Sequence, residues 1–365
     1  MELPTPTRHH NLWFSDGSVV LRADNTLFKV HMSQLSRHSI VFRDLFAMPQ
    51  PVKAGSSSTS PTTDTLEEST YEGLPMLYLH DSARDLAHLL MAIYDGPVFG
   101  KNDRADFEVV SGILRLANKY VIELLRKKAV AHLSIAWPSS LDSWDAREDF
   151  GRIYEMSENK SRGYLYPSPI DVIKLAREID EPSLLPSAFY DLSRYSFTQI
   201  YEPNEEDPLY PSSADATSEH ALSPIDMQKL ALGKESITQA ISNFISSLTS
   251  PSPPHQSSLT HRRNLSSSSA RNGLIGGKAI CTTVTECRKD FLDLVDLATQ
   301  HYIVDKEQGH SDPLFIAEEI GGLKIVEATE GDGCLACARS LEAWAAKERM
   351  KMWKMIPTWF RLESF

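Results

Sequence analysis

Four cysteines are the only side chains in this 365-residue sequence whose types and spacing combine into a recognisable chemistry. Cys334 and Cys337 form a Cys-x-x-Cys pair, a separation at which two thiolates can face one tetrahedral ion. Cys281 and Cys287 could supply the other two ligands of a structural zinc site. The competing reading is ordinary core packing. Cys287 shares an apolar stripe with Phe291, Leu294 and Ala298, free cysteine is among the most buried residue types, and the Cys281-to-Cys287 step is not a standard zinc pairing. These features favour buried or facing thiols over an ion, so no cofactor is firmly implied. Redox catalysis is disfavoured because no βαβ pattern leads into the Cys-x-x-Cys pair.

The remaining reactive side chains have simpler readings. Asp16 and His31 have the types of an acid/base pair, but a buried histidine orienting the hairpin end through a hydrogen bond is the favoured reading. No serine or cysteine nucleophile motif, phosphate-cradling loop or His-Glu-x-x-His sequence stands near them. Gly273 and Gly276-Gly277 follow no strand, and His9-His10 reads as a solvated arm. Arg262-Arg263-Asn264-Leu265-Ser266 has the letters of a basophilic kinase site, a match that Ser-rich segments produce often. The expectation is therefore a protein that is not an enzyme.

The elements that must position these residues fall into a strand-containing part followed by helices. The 41% hydrophobic and 9% aromatic content is that of a globular chain. A net charge of -12 argues against nucleic acid and anionic membrane surfaces as partners. The first residues lack a secretory pattern, and no apolar run approaches the roughly 20 residues of a membrane span. A cytoplasmic or nuclear protein is expected, in keeping with the sparse cysteines.

Residues 1–12 read as a loose arm, and Ser18 to His31 as a hairpin turning at Asp24-Asn25. Ser39 is a candidate N-cap for a helix burying Phe42, Leu45 and Phe46. Residues 50–72 are Ser/Thr/Pro-rich and read as a disordered insertion. Met76–His80 is a short strand. Asp81 or Ser82 then caps a helix carrying Leu86, Leu89, Leu90 and Ile93, which stops at Asp95-Gly96-Pro97. Two more helices carry Phe107, Val110, Leu114 and Ala117, then Leu125, Ala129 and Leu133.

From 136 to 248 helix signals dominate. They begin at the twin starts Ser168-Pro169-Ile170-Asp171 and Ser223-Pro224-Ile225-Asp226, and a separate helix is expected around Ile237–Leu248. Residues 249–277 read as a disordered linker. Residues 278–365 are helical and carry the four cysteines. The last helix is expected over Ala338–Ile356, closed by Pro357, with the apolar Trp359-Phe360-Arg361-Leu362 folding back. The fold class is α+β, with a small sheet and a helical cluster first and a mostly helical region after it.

Residues 12–135 resemble the BTB/POZ domain family. The likeness rests on Asp16 opening a strand, His31 ending one, Leu35, then Ser39-x-x-Phe42-x-x-x-Phe46, Tyr94-x-Gly96, and Ala117-x-Lys119-Tyr120. Cys334-x-x-Cys337 and the tail Trp353 to Phe360 are in turn similar to a group of fungal BTB-domain proteins. The resemblance implies a BTB fold, function through surfaces, and protein partners, most directly a second copy of the chain. Leu12, Trp13, Phe14, Val19 and Val20 are the expected self-association patch. A second implied role is substrate adaptor of a cullin-type ubiquitin ligase. Leu66-Glu67-Glu68 fits the adaptor letters but sits inside the insertion. His31 is followed by Met32 rather than a basic residue, so Asp16 lacks the partner it has in corepressor-recruiting members.

Overall fold

The computed structural model describes residues 5–48, 70–158, 163–205, 207–210, 221–248, 281, 283–305, 311–330 and 333–362. The greater part of the expected insertion, the expected linker with Arg262 to Ser266, and the Leu66-Glu67-Glu68 letters lie outside the described residues. The architecture is mixed α+β, with a five-stranded sheet near the N-terminus and helices thereafter.

The sheet orders its strands β1-β3-β2-β5-β4, with β1 Thr7–Trp13, β2 Val19–Ala23, β3 Thr26–Val30, β4 Thr70–Tyr71 and β5 Leu74–Leu79. β2 and β3 pair antiparallel as the hairpin reading requires, with Asp24 at φ 47 in the turn. Asp and Asn accept that left-handed backbone more readily than most residues.

Three expectations are corrected here. The loose arm is instead strand β1, parallel to β3. Its signal is weak because Leu12 alone on it is buried, so no apolar alternation marks it. The insertion ends earlier than residue 72, since Thr70-Tyr71 fold back on β5 through Glu72 and Gly73, both at positive φ. Such a turn takes left-handed backbone at both central positions, which Gly73 supplies without strain. The expected self-association patch is largely interior: Val19 and Val20 are 0% exposed and Leu12 is 2% exposed. Central β2 is covered on both faces, so its apolar run marks core rather than surface.

Helices α1 Met32–His38, α2 Ile40–Ala47, α3 Ala83–Tyr94, α4 Arg104–Lys119 and α5 Glu123–Ala136 close this first core. The core gathers Leu21, Phe28, Leu35, Phe42, Leu86, Leu89, Leu90 and Ile113. Ser39, Ser82 and Asp103 accept backbone N–H bonds as N-caps of α2, α3 and α4, each satisfying a donor that a helix start would otherwise leave open.

The remaining helices are α6 Leu141–Glu158, α7 Pro169–Glu178, α8 Leu185–Ser193, α9 Phe197–Tyr201, α10 Pro224–Ser247, α11 Val284–Thr299, α12 Pro313–Glu330 and α13 Leu335–Trp359. The backbone divides into two compact units. The first holds Met1–Trp137, Ala146–Ser168 and Leu175–Glu181, and the second holds Pro138–Asp145, Pro169–Lys174 and Pro182–Phe365.

In the second unit the two expected helices after Ser223 are one, α10, which passes unbroken through Gly233. A Cβ there would lie 2.0 Å from the ring of Phe360, so the glycine is a seat for that ring rather than a break. Phe360 is fully buried and packs on Phe189 at 5.4 Å, so the tail does fold back. α13 begins three residues before Ala338 and runs through Pro357. It closes instead at Arg361, left-handed at φ 53, with Leu362 N–H donating to the Pro357 carbonyl at 2.8 Å.

Candidate metal centre

Two helix starts bring the four cysteines together. Cys281 precedes α11, and Cys287 lies in its first turn, its N–H bonded to the Thr283 carbonyl at 3.0 Å. Cys334 is the N-cap residue of α13, and Cys337 lies in that helix's first turn. Each helix thus contributes one sulfur from just before its start and one from just inside it. Although Cys281 and Cys337 are 56 residues apart in sequence (337 − 281), all four sulfurs lie within 4.8 Å of one another.

The distances suit a metal. A tetrahedral zinc with Zn–S bonds of about 2.3 Å sets its sulfurs about 3.8 Å apart. Here Cys281 Sγ and Cys287 Sγ are 3.6 Å apart, and the widest separation stays within 4.8 Å. All four thiols are free, so no disulfide accounts for the approach. Cys281, Cys287 and Cys337 are buried and Cys334 is partly open. Four thiolates in a tetrahedral arrangement are a donor set of zinc and of iron–sulfur centres.

The electrostatics are divided between the two ends of the cluster. Burial pushes the Cys337 thiol well above its ordinary range, with the side chains of Cys281 and Cys287 adding to the rise. Burial also raises Cys287. At Cys334 burial acts upward too, but it is outweighed: the backbone N–H of Cys337, the side chains of Cys337 and Cys281, and the N–H of Ala336 hold the thiol below its usual value. Cys334 makes no regular side-chain cap of α13, so these amides act as nearby positive charge at the helix start. Four closely set thiols, one of them held below its usual range, form a donor set that a cation would complete.

The residues singled out in the first unit form two polar clusters. At the first, His31 Nε2 lies 3.2 Å from Asp16 Oδ1, while its backbone N–H and its Nδ1 each reach the Tyr94 hydroxyl at 2.9 Å. Phe14 stacks on Tyr94 at 4.6 Å and closes the cluster. Its hydrogen bonds pull Asp16, which is exposed, below the ordinary carboxylate range. The hydrogen bond from His31 that fixes the hairpin end is therefore present.

At the second cluster Ser39 Oγ donates to the Tyr120 carbonyl at 2.7 Å and accepts from Phe42 N–H at 3.0 Å. Phe42 stacks on Tyr120 at 4.6 Å and on Phe46 at 6.0 Å. Asp81 takes the Lys119 ammonium at 2.5 Å and the Tyr120 hydroxyl. Burial, then Asp81, pushes the Tyr120 phenol far up, so it stays a donor. Leu35 is buried in the first core, and Gly96 takes φ 88 after α3.

Several ion pairs were not legible in the sequence. Asp106 accepts from Gly100 and Asn102 N–H groups and from His132 at 2.6 Å. Asp312 receives the buried Tyr190 hydroxyl at 2.5 Å and Arg194 at 3.2 Å. Arg349 forks onto Asp145 at 2.6 and 3.1 Å. Only the helix-start spacing Asp103-x-x-Asp106 could have hinted at one of these.

Among the described residues no helix is long and apolar enough to cross a membrane. No family model matches this chain, and it matches no curated protein.

Proposed function

We propose that this chain is a non-enzymatic protein-interaction protein. In this reading its first unit is a BTB/POZ-type docking module, and its second is a helical unit fastened by one structural zinc on Cys281, Cys287, Cys334 and Cys337. The observation that carries the zinc is the convergence of four free sulfurs, from two helix starts, to a spacing that one tetrahedral ion fits. When bound, zinc supplies a cross-link between the starts of α11 and α13 and no reaction chemistry.

The module reading is supported by the engagement of the motif residues with one another. Asp16, His31 and Tyr94, like Ser39, Lys119 and Tyr120, hold elements together and present no shared acceptor site for a substrate. Function then falls to surfaces. Helix α2 leaves Ile40 45% and Val41 38% exposed beside its buried Phe42, and in this reading these two side chains are candidate contacts for a second copy.

Two measurements on the purified full chain test the reading. Elemental analysis should find one zinc per chain, and a content well below that removes the metal. Light scattering at micromolar concentration should return the mass of a dimer, and a strict monomer removes self-association. Co-purification with a cullin would redirect the reading to a ligase adaptor.

A further inference from the structure

We propose that the Cys334–Cys337 pair is the oxidation-sensitive latch of the metal cage: peroxide converts it to a disulfide and releases the ion. The inference rests on the zinc reading above and adds to it how the site opens.

The four sulfurs are not equally accessible. Cys281, Cys287 and Cys337 are buried, at 6%, 4% and 2% exposure, whereas Cys334 is partly open to solvent. A small oxidant in water therefore meets Cys334 first. Cys334 also sits at the N-cap of α13, where the open backbone N–H groups of the first turn favour a sulfur that carries negative charge during attack. Its resolving partner is already in place. Cys337 lies one helical turn on, and its sulfur belongs to the same group within 4.8 Å. Cys281 and Cys287, 3.6 Å apart, form a second close pair, but both are buried and neither is the first point of contact.

The chemistry balances with hydrogen peroxide as the oxidant. The Cys334 sulfur attacks one peroxide oxygen, the O–O bond breaks, and a sulfenic acid forms as hydroxide leaves and is protonated to water. The Cys337 sulfur then attacks the sulfenic sulfur, forming the S–S bond and expelling a second water. The two thiolates lose two electrons, and one peroxide is reduced to two waters with two protons taken up. Zinc is left with Cys281 and Cys287 alone, too few protein ligands for a closed structural site. A thiol reductant together with zinc restores the cage, because the S–S bond is the only covalent change.

The test uses the full chain as purified, with its zinc measured first. Substoichiometric hydrogen peroxide is added, released zinc is read with a chromogenic chelator, and disulfides are mapped by mass spectrometry after alkylation. The expected result is release of one zinc per Cys334–Cys337 disulfide, reversed by dithiothreitol plus zinc. Cys334→Asp is the matched variant, since aspartate is both a zinc ligand and a good N-cap. It should keep its zinc and release it to peroxide at least about ten-fold more slowly.

A chain without zinc at the outset overturns the metal reading and, with it, the latch. A zinc-loaded chain that retains its metal while peroxide is consumed overturns the latch alone. So does release accompanied by a Cys281–Cys287 disulfide with Cys334 still reduced. If Cys334→Asp fails to hold zinc, the wild-type disulfide map still decides between these outcomes.

Discussion

The two units share one means of anchoring distant segments, and the second adds another. In the first, polar anchors tie segments through hydrogen bonds under an apolar core: Ser39 to Tyr120 across 81 residues, His31 to Tyr94 across 63. The second has such bonds too, Tyr190 to Asp312 across 122 residues, and in addition brings the starts of α11 and α13 together at four sulfurs. Hydrogen bonds of the first kind are each worth about 0.5–1.5 kcal/mol net, so that unit rests on many small terms. A structural zinc contributes roughly 10 kcal/mol or more at one point. The first unit should therefore tolerate the loss of any single anchor, and the second should not tolerate the loss of the proposed metal.

The largest expected effect follows directly. Removing the proposed zinc with a strong chelator, or replacing Cys337 with Ser, should strip protection from the first turns of α11 and α13. Hydrogen exchange read segment by segment is the measurement. Amides of β2 and β3 should keep their protection, because no sulfur supports them. A uniform loss across both units, or no loss in either, breaks the contrast. Plain core thiols would give a far smaller effect from Cys337→Ser, about 1–3 kcal/mol for a poorly paired buried hydroxyl.

Next in size is the tail of the second unit. Phe360 is buried against Phe189 and Gly233, so Phe360→Ala should cost about 3–5 kcal/mol in urea unfolding. Gly233→Ala attacks the same seat from the other side. Its Cβ would meet the ring at 2.0 Å, and the resulting overpacking should cost about 1–3 kcal/mol. If both changes were neutral, the second unit would not depend on this closure.

How much of this was legible depends on which end of an element carries its signal. Helix starts were readable because Ser39, Ser82 and Ser223 announce their caps in the sequence, and all three side chains accept the expected N–H. Helix ends were readable only where glycine marks them, as at Asp95-Gly96 after α3. α4, α7 and α13 are followed by left-handed Val121, Asp180 and Arg361, where glycine would have been the signal. Helix α12 was missed because its apolar residues surround it: Leu314, Ile316 and Ile320 are buried while Phe315 and Leu323 stay more than a third exposed. The meeting of all four cysteines was hidden for a related reason. Cys287 on an apolar stripe suggested packing rather than ligation, yet a residue in a first helical turn can lie on the buried face and still look at another helix's start. Sequence spacing cannot show that Cys281 and Cys334 share a neighbourhood; only the fold does.

A pH dependence separates the units further. Burial pulls the Lys234 pKa down from 10.5 to about 8, although its ammonium donates to the Ser193 and Tyr195 carbonyls at 2.7 and 2.6 Å. Between those two values the unfolded chain holds a proton that the folded chain has released. Unfolding free energy should therefore rise with pH across this window, by at most about 3 kcal/mol, with the gain complete above it. Lys234→Met should lack the rise. The quantity to compare is the difference between wild type and variant in urea unfolding at about pH 7.5 and about pH 10.5, which cancels groups common to both. A wild-type curve no steeper than the variant's would show that the two carbonyls compensate for burial.

The smallest expected effect lies in the first unit. Ser39→Ala removes the cap on α2 and the hydrogen bond to the Tyr120 carbonyl together, leaving the Phe42 N–H and that carbonyl without their partner in a buried site. A lost cap costs about 1 kcal/mol, and an unsatisfied buried acceptor about as much again, so about 1–2 kcal/mol is expected. The Phe42–Tyr120 stack and the Asp81 contacts with Lys119 and Tyr120 remain to hold the same corner. Amides of α2 should exchange faster while zinc content stays unchanged. A loss much above about 3 kcal/mol would mean that one hydrogen-bonded anchor matters to the first unit as much as a metal is proposed to matter to the second, and the distinction between distributed and concentrated support would fail.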